Sequence, residues 1–329
     1  MSSVSLFYGN NPWHYYLTQA LPIVATTALP FALHGIYTSW RTPSAFRHSR
    51  TLALLVAGTL AVYSATGHKE WRFIHPLLPI LHVFAAKSLV DLYDRHTKRL
   101  ASDDETEEPT PPPSSPLPIR RRHLVLLLLN APPALYVMLL HGAAQVSVVH
   151  HLRAREDLRS VGFLMPCHST PWQSHLHRED LEENIWALGC EPPLRYVFVF
   201  CPLGLETDVP VCRGENIATY RDQTRVFYDD PIAYLRRRFP RRVDRHFPPS
   251  PQPTTPPGQL PVSWSHSWPS HFVLFGALLD IKGVRELLEE TGYREDTRFI
   301  NGFEEDEKRR GGVQLWRWDA SFETRFVTS

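Results

Sequence analysis

Seven consecutive residues, Gly67-His68-Lys69-Glu70-Trp71-Arg72-Phe73, set two permanent cations, a carboxylate and an imidazole directly ahead of an apolar run, Ile74-His75-Pro76-Leu77-Leu78-Pro79-Ile80. Ionisable groups beside hydrocarbon are costly to keep and ordinarily mark a functional site. The residue types suit an anion. Arg offers a planar fork for bidentate contact with phosphate and Lys a compact point charge, so Lys69 and Arg72 are the candidates for holding one, with His68 as a hydrogen-bond donor. Glu70 lies between the two cations and can keep them in register or touch the ligand. The bland reading has Lys69 and Arg72 reaching out to lipid headgroups while Glu70 pairs with one of them.

Other polar residues sit at comparable places. Trp13 and His14 precede the first apolar run together with Tyr15 and Tyr16. The two tyrosines fit an interfacial aromatic belt, whereas Trp13, His14 and His75 are candidates for lining a substrate cavity. His75 and His82 are seven residues apart, the spacing of one helix face. Farther on, Cys167, His168, His175 and His177 cluster, but their spacing fits no standard zinc pattern, and no metal is expected. All four cysteines, Cys167, Cys190, Cys201 and Cys212, fall in one stretch. In an oxidising compartment they allow up to two disulfides in three possible pairings; the alternative is buried free thiols.

The elements that must position these groups follow from the distribution of charge. With 329 residues there is room for two domains, and a net charge of +1 argues against nucleic acid as the main partner. Nearly all long uncharged apolar runs precede residue 150, and most Arg, Asp and Glu follow it. The expected architecture is an α-helical polytopic membrane bundle over 1–149, then a small soluble α/β domain over 150–329. Spans are expected at 19–37, 51–66, 73–91 and 124–149, with kinks at Pro22, Pro30, Pro76, Pro79, Pro132 and Pro133.

Arg41, Arg47 and Arg50 follow the first span, and Arg95, Lys98, Arg99, Arg120, Arg121 and Arg122 follow the third. The positive-inside rule makes both loops cytoplasmic, which places the turn 67–72 and everything after 150 on the lumenal side. The stretch 101–118 is acidic and proline-rich, and the loop 96–121 that contains it reads as disordered and cytoplasmic. In the soluble half, Tyr196–Phe200 and His271–Phe275 read as buried strands and Val313–Trp318 as an alternating one. A helix capped by Asp230-Pro231 and a second over 283–292, closed by Gly292, complete the α/β pattern, with a proline-rich loop at 247–261.

Tyr8-Gly9 with Pro12-Trp13-His14, then Gln19-Ala20-Leu21-Pro22, then His68-Lys69-Glu70-Trp71-Arg72-Phe73 before a proline-containing membrane run, resembles glycosyltransferase family 22. The resemblance implies an integral-membrane mannosyltransferase of the GT-C class in the endoplasmic reticulum, using dolichyl phosphate mannose at the lumenal face. Gly162-Phe163-Leu164-Met165-Pro166-Cys167-His168-Ser169-Thr170-Pro171, continuing to Ser174-His175-Leu176-His177, is similar to the branch of that family that adds the third mannose of the GPI anchor. Arg298-Phe299-Ile300-Asn301 and Arg309-Arg310-Gly311 approach the same pattern.

On this resemblance His68, Lys69, Glu70 and Arg72 bind the donor, and His168, Ser169, His175 and His177 lie on a loop that closes over a glycolipid acceptor. The donor lipid is substrate, and no cofactor is implied. The family also carries an acidic motif in its first lumenal loop, whose carboxylate activates the acceptor hydroxyl. This chain starts at Met1 just ahead of the aromatic-histidine motif, so the expectation is an N-terminally truncated chain with an incomplete GT-C-like bundle and an unknown catalytic base. The competing readings are a lumenal mannosyltransferase that builds the lipid-linked N-glycan precursor, and a non-catalytic membrane fragment or subunit.

Overall fold

The computed structural model describes residues 9–41, 47–103, 118–192, 220–252, 264–304 and 306–322. Contacts divide the chain into two units, Met1–Leu135 and Tyr136–Ser329.

The first unit is helical. It enters through a π-helical turn at Tyr16–Ala20, a short α1 (Leu21–Ala25) and a 3₁₀ turn at Thr26–Ala28 before α2 (Leu29–Arg41). Pro22 and Pro30 each lack the N–H that a helical ladder needs. Between them Thr26 takes a φ of 47°, so this apolar stretch is broken rather than straight. Helix α3 (Arg47–Ser64) comes next, then a 3₁₀ segment, Trp71–Leu77, that contains Pro76 and leads into α4 (Leu78–Asp103). Since α4 continues to Asp103, the first residues of the stretch expected as loop, 96–103, are helical; residues 104–117 lie outside the described residues. Helix α5 (Arg121–Leu128) follows, and α6 (Ala131–Leu139) crosses the boundary between units.

Tyr16, Leu21, Phe31, Ile74, Leu81 and Ala85 contribute to one core. Helices α2 and α4 approach closely at Gly35, where a Cβ would collide with the Phe84 carbonyl oxygen. Small residues permit such backbone approach between membrane helices. The same seam is polar: His34 Nδ1 lies 2.7 Å from Ser88 Oγ, Thr38 Oγ1 donates to Asp91 at 3.5 Å, and Lys87 donates to Asp91 at 2.5 Å.

Three helical stretches among the described residues are long and apolar enough to cross a membrane: Tyr16–Arg41, Trp71–Arg99 and Arg121–Arg153. The segment 51–66 falls mostly in α3, whose first turn carries His48 and Arg50 and which is not one of the three.

The second unit runs α7 (Ala143–Arg153), β1 (Val161–Leu164), α8 (Trp172–Leu176), β2 (Ile185–Ala187), α9 (Gln223–Asp229), α10 (Pro231–Arg238), β3 (His271–Phe275), α11 (Gly276–Leu279), α12 (Val284–Glu290), β4 (Tyr293–Phe299) and β5 (Val313–Trp318). Among the described residues the strands form one mixed sheet in the order β2-β1-β3-β5-β4. Strand β1 pairs parallel with β2 and β3, and β5 pairs antiparallel with β3 and β4. Alternate residues feed two cores. Leu164, Phe272, Leu274 and Trp316 cluster with Phe227, Leu235 and Leu288 of α9, α10 and α12. Val161, Phe163, Val273 and Leu315 cluster with Val148, Val149 and Leu152 of α7.

A strand covered on both faces shows a continuous buried run. Strand β3 does so, as expected. Strand β5 was expected to alternate, yet its first four residues are all buried, because Leu315 meets one core and Trp316 the other. Edge strand β4 carries the charged residues Arg294, Glu295, Asp296 and Arg298, which disfavour pairing with another chain. Asp230 caps α10 as its sequence predicts, accepting the Ala233 N–H at 2.9 Å, and Gly292 closes α12 with a φ of 96°. The expected strand Tyr196–Phe200 lies outside the described residues.

Candidate functional site

The turn that follows α3 gathers the charged run onto residues 9–11. Lys69 is 3% exposed, and its ammonium donates to the Asn11 carbonyl at 2.7 Å and to the Thr66 carbonyl at 2.5 Å. Asn11 reciprocates: its Nδ2 donates to the Lys69 carbonyl at 2.8 Å and its N–H to the Gly67 carbonyl at 3.3 Å. A charged amine withdrawn from water needs such acceptors, so Lys69 pins residues 9–11 to the turn.

The neighbouring ions are arranged differently. His68 Nε2 lies 2.8 Å from Glu70 Oε1, and its Nδ1 lies 3.3 Å from the Gly9 carbonyl. Arg72 Nη2 donates to the same Oε1 at 2.8 Å, and its Nε pairs with Oε2. The Arg72 side chain nevertheless stays 66% exposed. Burial pushes the Glu70 carboxyl up, but the His68 and Arg72 hydrogen bonds and the Arg72 charge outweigh it, and the net direction is below the ordinary carboxylate range. Glu70 is therefore an anion that holds two potential cationic donors at the rim of an apolar helix.

Trp71 and Phe73 flank Arg72 with much of their rings exposed. The His75 ring lies 5.1 Å from Trp71, and the Arg72 guanidinium lies 5.9 Å from the Phe73 ring centre. His75 belongs to the 3₁₀ segment and His82 to α4, and both are exposed. Trp13 is also exposed, and His14 Nδ1 lies 3.2 Å from Thr18 Oγ1.

In the second unit the loop after β1 carries the remaining candidates. Cys167 and Cys190 form a disulfide with a Cα–Cα distance of 5.9 Å; Cys201 and Cys212 lie outside the described residues. His168 sits within ligand reach of both sulfurs, but a disulfide leaves neither as a thiolate to bind metal. His168 and His177 are exposed, with φ of 59° and 46°, and Ser169 Oγ is buried with no partner among the described residues. His175 Nδ1 lies 3.0 Å from Ser174 Oγ, and its ring is 5.6 Å from that of His150 at the end of α7.

A second ionic cluster gives no signal in sequence spacing. Arg155 forks Asp157 with bonds of 2.7 and 2.8 Å and reaches Asp296 at 2.7 Å, while Arg317 lies 3.5 Å from Asp157. The Arg155 hydrogen bonds, working against burial, hold Asp157 well below the carboxylate range. Its members come from the loop after α7 and from β4 and β5, so only the folded sheet assembles it. Asn11 was also missed, although Gly9-Asn10-Asn11-Pro12 has the composition of a turn.

The profile of the Alg9-like mannosyltransferase family matches residues 1–177, more than half of the chain. The chain belongs to that family. The charged turn and the 162–177 loop both fall inside the matched region of this Alg9-like mannosyltransferase family member. Its relatives include proteins named GPI mannosyltransferase 3. That of Emericella nidulans is 33% identical over 96% of this chain and 47% of its own length. For Yarrowia lipolytica the figures are 32%, 96% and 50%, and for Saccharomyces cerevisiae 29%, 94% and 44%. The chain thus spans about half the length of the curated relatives it matches. No solved structure matches it.

Proposed function

We propose that this Alg9-like family member serves GPI-anchor assembly, transferring mannose from dolichyl phosphate mannose to a mannosylated GPI intermediate at the lumenal face of the endoplasmic reticulum membrane. The observation that carries the reading is the His68–Glu70–Arg72 cluster, held at the head of an apolar helix long enough to cross a bilayer, with Arg72 exposed at its rim. In such a transfer the bond between the sugar anomeric carbon and the phosphate oxygen breaks, a bond to an acceptor hydroxyl oxygen forms as that hydroxyl gives up its proton to a general base, and negative charge builds on the departing phosphate. A preorganised cation placed on the phosphate stabilises that charge. Arg72 fills this role, His68 donates a hydrogen bond beside it, Glu70 keeps both in place, and Lys69 acts indirectly by fixing the turn.

The loop bearing His168, Ser169, His175 and His177 is assigned to the acceptor, and Trp13, His14 and His75 to the donor cavity. The Cys167–Cys190 disulfide supports a lumenal setting for the second unit, since disulfides persist in oxidising compartments.

The test is replacement of the matching half of the Saccharomyces cerevisiae relative by this chain, in cells lacking that relative. Return of GPI-linked proteins to the cell surface is expected, with loss of the accumulated under-mannosylated GPI lipid. Failure of that return, with rescue instead of cells deficient in N-glycan precursor mannosylation, would sink the assignment.

A further inference from the structure

The apolar run Arg121–Arg153 is 33 residues long, whereas a helix needs only ~20 to cross the hydrocarbon core. Its last part does not face lipid: α7 buries Val148, Val149 and Leu152 against the sheet. Between α6 and α7 the helix breaks at Leu140–Gly142, with Gly142 at a φ of 71°. Arg121 to Leu140, which includes the turn at Leu129–Asn130 between α5 and α6, is roughly the ~20 residues required, so a bilayer crossing that begins at Arg121 would end at this break.

A loop from the far end of the sheet unit is fastened onto the break. The Gly302 N–H donates to the Leu140 carbonyl at 3.4 Å, the Tyr136 hydroxyl donates to the Phe303 carbonyl at 3.1 Å, and the Ala144 N–H donates to Asn301 Oδ1 at 3.0 Å. The last bond caps α7, which Gly142 has no side chain to do. Gly302 is required at the contact, because a Cβ there would press against the Tyr136 hydroxyl at 2.7 Å.

The tip of this loop is apolar and bare. Ile300 is 83% exposed and Phe303 75%, while Met138 and Leu139 on the adjoining helix are 79% and 65% exposed. Single exposed apolar side chains need no explanation, but these share one loop pinned to a membrane segment. Charge resumes at once: Tyr136, His141, Phe303, Glu304 and Asp306 line a shallow groove of about 450 Å³. Apolar side chains rimmed by aromatic rings and carboxylates fit the headgroup boundary, with hydrocarbon for the tip and ammonium headgroups for the rim.

We propose that the Ile300–Phe303 loop is a lipid anchor, whose two apolar side chains enter the bilayer interface beside Leu140 and set the height of the sheet unit over the membrane. A bilayer rather than another protein is the partner, because the loop is bonded to the helix where that helix leaves the hydrocarbon. Nothing in the anchor depends on the transfer reaction.

The test uses the full chain in phosphatidylcholine nanodiscs, with a nitroxide attached at Ile300→Cys or Phe303→Cys and, as an aqueous control, at Glu286→Cys on the exposed side of α12. The parent chain treated with the same label sets the background from native cysteines. The ratio of relaxation by oxygen to relaxation by a water-soluble nickel chelate should be several-fold higher at 300 and 303 than at 286. Equal ratios, or labels shielded from both reagents inside the protein, would overturn the anchor.

Discussion

Lys69 keeps its ammonium on the carbonyls of Asn11 and Thr66, whereas Arg72 shares Glu70 with His68 and faces solvent, so substitutions at the two positions should separate folding from transfer. Lys69→Met orphans two carbonyls and should lower stability by about 1–3 kcal/mol, read as an earlier thermal unfolding of the detergent-solubilised chain. Arg72→Gln should leave unfolding nearly unchanged, as an exposed pair contributes little, while slowing mannose transfer about 100-fold. Wild-type transfer by Arg72→Gln would remove the phosphate role from this arginine. The sequence displays both cations with equal prominence. Which one is buried depends on Asn11, 58 residues earlier, and no local pattern encodes that contact.

At the scale of elements, the α2–α4 seam rests on the absence of a side chain at Gly35. Gly35→Leu must push the helices apart or displace the Phe84 backbone, at a cost of about 1–3 kcal/mol, and should also loosen the His34–Ser88 and Thr38–Asp91 contacts. Unchanged thermal unfolding of that variant would show that the helices do not approach there. The Cys167–Cys190 bridge closes a loop with a sequence separation of 23, and its removal by Cys167→Ser with Cys190→Ser should cost about 3 kcal/mol. Altered mobility of the parent chain on reduction, absent in the double variant, would show that the bridge forms.

Elements with strong local chemistry were legible: Asp230-Pro231 announces its helix, and the aromatic run His271–Phe275 its buried strand. Strand β5 was legible only as a strand. Its Gln314 is buried and accepts the Trp316 Nε1 hydrogen at 3.1 Å, so a polar letter that reads as outward-facing is satisfied inside. The pairing among four cysteines was likewise invisible, because it depends on where β1 and the residues after β2 come to lie.

Over the second unit as a whole, two buried imidazoles set the response to acid. His266 stacks on Trp186 at 4.1 Å with its Nε2 near Gln223 and Tyr234, and burial with the Arg238 charge lowers its pKa to about 4. His271 is 1% exposed beside Ser270; burial and the charges of Arg155 and Arg317 outweigh the attraction of Asp157 and Asp296, and it also falls to about 4. An unfolded histidine titrates near ~6.5, so below that pH the unfolded chain binds protons that the folded unit does not. Stability is therefore full above ~6.5 and lost as pH falls toward ~4, by up to ~3 kcal/mol for each group. Thermal unfolding followed from pH 7 to pH 4 should show that decline, and His266→Gln should flatten part of it. A melting temperature that held constant over this range would mean that these imidazoles take up protons while the unit stays folded.

The strand order also governs timing during synthesis. Val161–Leu164 takes its second neighbour from His271–Phe275, which the ribosome delivers about 110 residues later. Until then β1 has only the short β2 beside it, and its other edge stays open. The Cys167–Cys190 pair is available for oxidation throughout that interval, so covalent closure can precede completion of the sheet. A nascent chain halted before residue 271 thus keeps that edge of β1 open and is exposed to mispairing.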